Sequence, residues 1–408
     1  MSRTFDEVRA MDGADPLRGF RERFVLPDDV IYLDGNSLGA LPKAAAARLA
    51  EVVGREWGDS LIRGWTAHGW IDLPQRVGDG IGRLVGAQPG EVVAADSTSV
   101  NLFKLIVAGL RLRPGRTVVL SEPDNFPTDL YMAEGATRLL GAQLKLVARS
   151  DLPAAIDATT ALLLLTHVDF KTGAVHDMAA ITRDAQAKGA LVLWDLSHSA
   201  AALPVDLNAA NADLAVGCGY KYLNGGPGAP AFAFVAARHQ AMLDQPLSGW
   251  MGHARPFDFA TAYAPAKGIG RLLCGTPPVL SLAALDAALE LWDAIDMAAV
   301  RAKSMALTTL FADLVERRCP ELVLASPRDA GARGSQISFR HAQGYAIVQA
   351  LIARGVIGDF RAPDLLRFGF APLYLRHVDV WDAVEHLSTV MQTREWDRPA
   401  FKQRAAVT

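Results

Sequence analysis

The sequence predicts an α/β protein in which a mostly parallel sheet, covered by helices, is joined to a smaller α+β domain. Three observations carry this prediction. Short, near-continuous apolar runs recur through the middle of the chain, segments of helical period separate them, and the connections are short. Strands that are apolar along their whole length need cover on both faces, which a parallel sheet obtains from its crossover helices.

The elements follow in chain order. One strand ends over 118–121 (VVLS), a second spans 161–168 (ALLLLTHV) and a third 190–196 (ALVLWDL). Between the last two, 178–188 (MAAITRDAQAK) sets Ile181, Ala185 and Lys188 on one helical face, and Gly189 supplies the stop. Strand, helix, strand with short connections reads as a βαβ unit. The runs 213–218 (DLAVGC) and 231–235 (AFAFV) add further strands. From about residue 280 the pattern changes. The Ala-rich stretch 281–300 reads as one long helix leading out of the central domain, and 334–339 (GSQISF) as a short strand beyond it. The expected division is a large domain over 61–290, with a small domain formed by 1–60 and 291–408.

Composition narrows the function classes. The chain has 408 residues, 50% hydrophobic and 21% charged, with a net charge of −3. That suits a globular protein with more than one core. No basic block marks a nucleic-acid surface. The charged opening MSRTFDEVRAMDGAD has no apolar signal-peptide core. No apolar run reaches the roughly 20 residues of a membrane-spanning helix. Cys218, Cys274 and Cys319 are scattered without metal spacing, so no metal site is expected. They point to a reducing compartment, hence the cytoplasm, and each also reads as a small buried apolar residue.

The chemistry-bearing residues cluster around strand ends. Lys221, in 217–230 (GCGYKYLNGGPGAP), follows an apolar strand and precedes a Gly-rich turn. Desolvation there lowers a lysine's pKa and leaves a neutral amine able to attack an aldehyde. A solvated surface charge is the plainer reading of such a lysine taken alone. Asp195, in 193–199 (LWDLSHS), ends its own buried strand and needs a cationic partner. A protonated pyridine nitrogen would be one; a helix cap or a structural salt bridge would be another. The 26 residues from Asp195 to Lys221 (221 − 195) leave room for one further strand. The two groups can therefore flank one ligand beyond neighbouring strand ends. Together they favour pyridoxal 5′-phosphate (PLP). A third element, 96–101 (DSTSVN), opens a helical pattern where Thr98 and Ser99 can serve a phosphate, or where Ser97 or Ser99 simply caps the helix.

With these pieces in place the sequence resembles the kynureninase family, within the aminotransferase class V group of fold-type I PLP enzymes. The match runs through 32–42 (YLDGNSLGALP), 96–104 (DSTSVNLFK), 125–132 (NFPTDLYM), 193–207 (LWDLSHSAAALPVDL), 217–228 (GCGYKYLNGGPG), 248–253 (SGWMGH), 274–278 (CGTPP) and 366–374 (LRFGFAPLY). The resemblance implies hydrolysis of the Cβ–Cγ bond of L-kynurenine to anthranilate and L-alanine, a step of tryptophan degradation, with weaker action on 3-hydroxykynurenine. It also implies a homodimer with its site at the subunit interface.

For individual residues the resemblance implies Lys221 and Tyr220 as catalytic groups, Tyr220 exchanging protons with a lowered pKa. Phe126 would lie against the cofactor ring, flanked by Pro127 and Thr128, with Asp129 beside it. Thr98, Ser99, Tyr220 and Trp250 would surround the phosphate, with Trp250 coming from a second subunit and Thr276 nearby. Thr166 would sit near the ring's phenolic oxygen, and Asp195 with His198 near its nitrogen. Arg367 would clamp the substrate carboxylate through a bidentate fork. Asn36, Ser37, Trp65, Gly275 and Thr276 would line the substrate side, with no evident partner for an extra aryl hydroxyl.

Plainer roles exist for several of these residues. Phe126 and Trp250 also read as core aromatics, His198 and His253 as core histidines, Asp129 as a helix cap and Arg367 as a surface arginine. A cysteine desulfurase-like lyase, with Cys274 as sulfur acceptor, is the rival of the same cofactor class. The order Tyr220–Lys221 and the NFPTD motif argue against it, because desulfurases usually place His before the lysine. A non-catalytic scaffold is the rival of another class, and the co-occurrence of Lys221, Asp195 and Arg367 argues against that.

Overall fold

The computed structural model describes residues 3–404. Its centre is a seven-stranded sheet in the order Val92–Ala94, Ala231–Val235, Leu214–Cys218, Leu191–Asp195, Thr160–Thr166, Val118–Ser121 and Gln143–Leu146. Only Ala231–Val235 runs against the others, pairing antiparallel with both neighbours. The strands at the centre are buried along their whole length, as their unbroken apolar runs require.

Local signals set the flanking helices. Ser97 caps Thr98–Arg111 by accepting from Val100 N at 3.3 Å. Pro127 opens Pro127–Leu139, where its missing N–H costs nothing. Asp177 caps Met178–Ala187, accepting from Ala180 N at 2.9 Å, and Gly189 follows at φ +80°.

The long helix expected over 281–300 is divided. Val279–Leu289 gives way to a 3₁₀ turn at Glu290–Ala294, and a new helix runs over Met297–Arg318. Asp296 supplies the break, since its carboxylate accepts from Ala298 N at 2.9 Å and starts the second helix. Ala-richness favoured continuity, and a single side-chain cap outweighed it. The strand expected over 334–339 is Gln336–Arg340, in a four-stranded antiparallel sheet with Val323–Leu324, Leu365–Gly369 and Asp359–Arg361.

The N-terminal segment touches both parts of the molecule. Ile31–Tyr32 pairs in parallel with Val356–Ile357, while Lys43–Glu51 packs on Val279–Leu289. Between these, Gly39 N donates to Tyr220 O at 2.8 Å, which ties the segment to the loop carrying Lys221. A side chain at Gly39 would overlap the carbonyl oxygen of Lys221.

Candidate active site

Six co-directional strands bring their carboxyl ends to one edge of the sheet, and a cavity of about 530 Å³ opens there. This is where a doubly wound sheet binds ligands, because the loops diverge and backbone groups remain unpaired. Five of the six, all but the edge strand Gln143–Leu146, contribute residues at or just beyond their ends: Asp96 to Ser99, then Phe126, Thr128 and Asp129, then Thr166 and Phe170, then Asp195, Ser197 and His198, then Tyr220 and Lys221. The reversed strand contributes the residues before it, Gly228 and Ala229.

Lys221 lies one strand over from Asp195, and its amine sits 5.9 Å from the Phe126 ring centre. Burial holds its pKa below the ordinary lysine range, and the charges of Arg367 and Arg361 push the same way against Cys218 and Asp195. The shift favours the neutral, nucleophilic amine.

The floor carries two buried carboxylates. Asp195 accepts from Ser197 N at 2.8 Å, and burial raises its pKa. Burial raises Asp129 much further, with the neighbouring charge of Asp195 adding to it. One oxygen of Asp129 has no hydrogen-bond partner. The Thr166 hydroxyl donates to Asn125 Oδ1 beside them. His198 Nδ1 lies 2.7 Å from Gln336 Oε1. Burial, with Lys221 and Arg367 nearby, holds that imidazole's pKa well below its usual value, so the ring is neutral.

These features fit PLP. A partnerless buried carboxylate oxygen beside a second carboxylate suits a cationic ring nitrogen. The free N–H groups at the start of Thr98–Arg111, with the hydroxyls of Thr98 and Ser99, suit a phosphate. The Lys221 amine suits an aldehyde.

Other sequence-named residues lie outside this cavity's wall. Pro127 is the first residue of its helix and does not line the cavity. Trp65 packs edge-on to Trp70 at 6.0 Å. Trp250, 37% exposed, stacks with Phe259 at 6.3 Å. Gly275 and Thr276 follow Cys274, whose thiol donates to Leu247 O at 2.8 Å.

Arg367 is buried, not a surface arginine, and much of its fork is already in use. Nε donates to Asp359 Oδ1 at 2.8 Å, and Nη2 donates to both Asp359 Oδ2 and Ser37 Oγ. Nη1 donates to Phe170 O at 2.7 Å. The Nε–Nη2 edge is therefore closed by Asp359, and only the Nη1–Nη2 end remains for a bidentate partner, with Ser37 giving way. With its amide turned to satisfy both ends, Asn36 accepts from Arg367 Nε at 3.1 Å.

The Tyr220 hydroxyl is pushed up by the protein's own groups, first by burial and then by Cys218 and Asp195. The sequence reading also passed over Phe170, Gln336, Asn125 and Asp359. Only Asp359 left a trace, as a carboxylate in the short strand Asp359–Arg361 (DFR), a few residues before LRFGF.

The fold and this edge define the class. A cysteine desulfurase from Thermococcus onnurineus NA1 superposes with a TM-score of 0.78 at 18% identity, covering 96% of this chain and 99% of that one. The cysteine desulfurase CsdA of Escherichia coli gives 0.78 at 22%, covering 92% and 98%. The architecture is thus that of the fold-type I PLP-dependent enzymes. A kynureninase of Burkholderia pseudomallei (strain 1106a) is 54% identical over 415 residues, covering all of both chains. One from Pseudomonas fluorescens is 51% identical over 414, covering 99% of this chain and all of its own. The family model for the kynureninase C-terminal domain matches residues 300–387. The chain belongs to the kynureninase family.

Proposed function

We propose that this protein hydrolyses the Cβ–Cγ bond of L-kynurenine to anthranilate and L-alanine, using PLP carried on Lys221. The observation that supports this most is the buried amine of Lys221 facing two buried carboxylates in one cavity, in a chain of that family. When bound, PLP supplies an electron-accepting ring linked to the substrate nitrogen.

The chain's own residues then divide the work. Asp195 and Asp129 hold positive charge at the ring nitrogen. The helix start at Thr98 and Ser99 holds the phosphate. Lys221 Nζ, its neutral form favoured by burial, takes the proton from substrate Cα and returns a proton there as L-alanine forms. Tyr220 is held protonated, so its hydroxyl is a donor to Cβ as the Cβ–Cγ bond breaks, while water adds at the γ-carbonyl. Arg367 receives the α-carboxylate end-on, with Asn36 and Ser37 beside it.

The finer points belong to the same proposal. Unsubstituted kynurenine is preferred over 3-hydroxykynurenine, with Trp65, Gly275 and Thr276 at the aryl group. The protein works as a homodimer, and the exposed cluster of Trp250, Phe257 and Phe259 supports this, with Trp250 reaching the partner's phosphate. The large domain is 61–290 and the small domain 1–60 with 291–408. No helix among the described residues is long and apolar enough to cross a membrane, and we place the protein in the cytoplasm, serving tryptophan breakdown or NAD biosynthesis.

The test is anthranilate fluorescence on adding L-kynurenine to the PLP-loaded protein, beside Lys221→Ala. Wild type produces anthranilate; the variant loses at least about a thousandfold in rate and cannot be tagged at position 221 by borohydride. Alanine released from cysteine, with no anthranilate from kynurenine, would assign the protein to the desulfurases instead.

A further inference from the structure

We propose that Lys104 is a positioning residue for the phosphate end of the site, acting through Asp96 and without touching the ligand. This rests on the PLP reading above.

The side chain of Lys104 is fully buried and does not line the cavity. An ammonium group in that position must be paired, because burying it unpaired is costly. Its Nζ donates to Asp96 Oδ2 at 2.5 Å and to Leu272 O at 2.5 Å. Both partners belong to segments that shape the site.

Asp96 lines the cavity and stands at φ +51°, a left-handed backbone conformation uncommon outside glycine, though Asp adopts it more readily than most residues. Its carbonyl accepts from Ala231 N at 2.9 Å, which holds it from the sheet side. Lys104 holds it from the helix side. The next residue, Ser97, is the helix cap, and the free N–H groups of Thr98 and Ser99 follow at once. The orientation of that anion cup is therefore inherited from the Asp96 turn. If the ion pair is lost, the turn can relax toward ordinary backbone geometry and swing the cup.

The second bond matters for a different reason. Leu272 ends the 3₁₀ turn Gly268–Leu272 and leads into 274–278, the CGTPP segment. One ammonium thus joins the cup to a loop of another part of the chain.

The test separates the phosphate from the rest of the cofactor. Apo-protein is titrated by absorbance with PLP and, separately, with pyridoxal, which has the same ring and aldehyde but no phosphate. For Lys104→Met the PLP dissociation constant rises by about tenfold or more, while that of pyridoxal stays within about twofold of wild type. A general packing defect would weaken both ligands together. Should Lys104→Met fail to fold, Lys104→Met with Asp96→Asn removes both charges at once, and the same selective loss is expected of it. Parallel loss of both ligands, or unchanged PLP affinity, in whichever variant folds overturns the proposal. Wild-type protein that binds neither ligand at Lys221 overturns the cofactor reading itself.

Discussion

The cofactor face and the substrate-carboxylate face of this site are built by opposite means. The cofactor face comes from successive strand ends of one sheet, and its groups stand open to one cavity: Lys221, Asp195, Asp129, Thr98 and Ser99. The carboxylate face gathers Asn36 and Ser37 from the N-terminal segment, Asp359 and Arg367 from the small sheet and Phe170 from the loop after Thr160–Thr166. Its groups are closed on one another. A sheet edge presents unpaired groups by topology alone. A junction between separate segments must instead satisfy its buried charges internally until a substrate arrives. The first face is thus preformed, and the second must exchange partners.

Experiments can sharpen or break that contrast. The largest effect is expected on the preformed face. Asp195→Asn removes charge from the floor, and kcat/KM for kynurenine falls on the order of a hundredfold or more, measured by anthranilate release. On the exchanging face, Asp359→Asn loosens Arg367, so KM rises about tenfold while the PLP dissociation constant is unchanged. Equal damage to both parameters would erase the distinction between the faces.

A smaller effect tests where the faces meet. Gly39→Ala puts a methyl group against the backbone of Lys221, at an expected cost of about 1–3 kcal/mol in urea unfolding. No loss would show that the N-terminal segment does not brace the lysine loop.

The smallest effect concerns pH. Asp34, beside Asp359, has its pKa pushed up to about 7, by burial first and then by Asp359's charge, while Asp359 itself is held low, with Arg367 the chief group opposing its burial. The fold therefore favours the protonated Asp34. Its contribution is fully present below about pH 4 and is lost as pH rises through about 7. Relative to Asp34→Asn, wild-type Tm should decline across that window and level off above it. A constant difference would mean that Asp34 does not titrate there.

Much of the cofactor face was legible in the sequence because it is local. Asp195 and Lys221 each end an apolar run, and the spacing between them allows one strand. The register then pairs Thr166 with Asp195 and Asp195 with Val216. The break in 281–300 was less legible, since Asp296 had to outweigh a stretch of strong helix formers. Gln336 and Phe170 carried no signal, because a carbonyl partner or an edge-on ring contact has no sequence period. For Tyr220 the burial that pushes its hydroxyl up was not visible, because burial depends on packing between segments.

By itself, the sequence determined five of the seven strands of the central sheet and which reactive groups stand near their ends. Periodicity, caps and glycine stops act within a few residues, so they can be read along the chain. The tertiary structure alone decided that Asp359 occupies one edge of Arg367, that Lys104 lies buried against Asp96, and that Gly39 abuts the lysine loop. Those are contacts between segments brought together by packing, and burial, which sets their energies, exists only once the chain has folded.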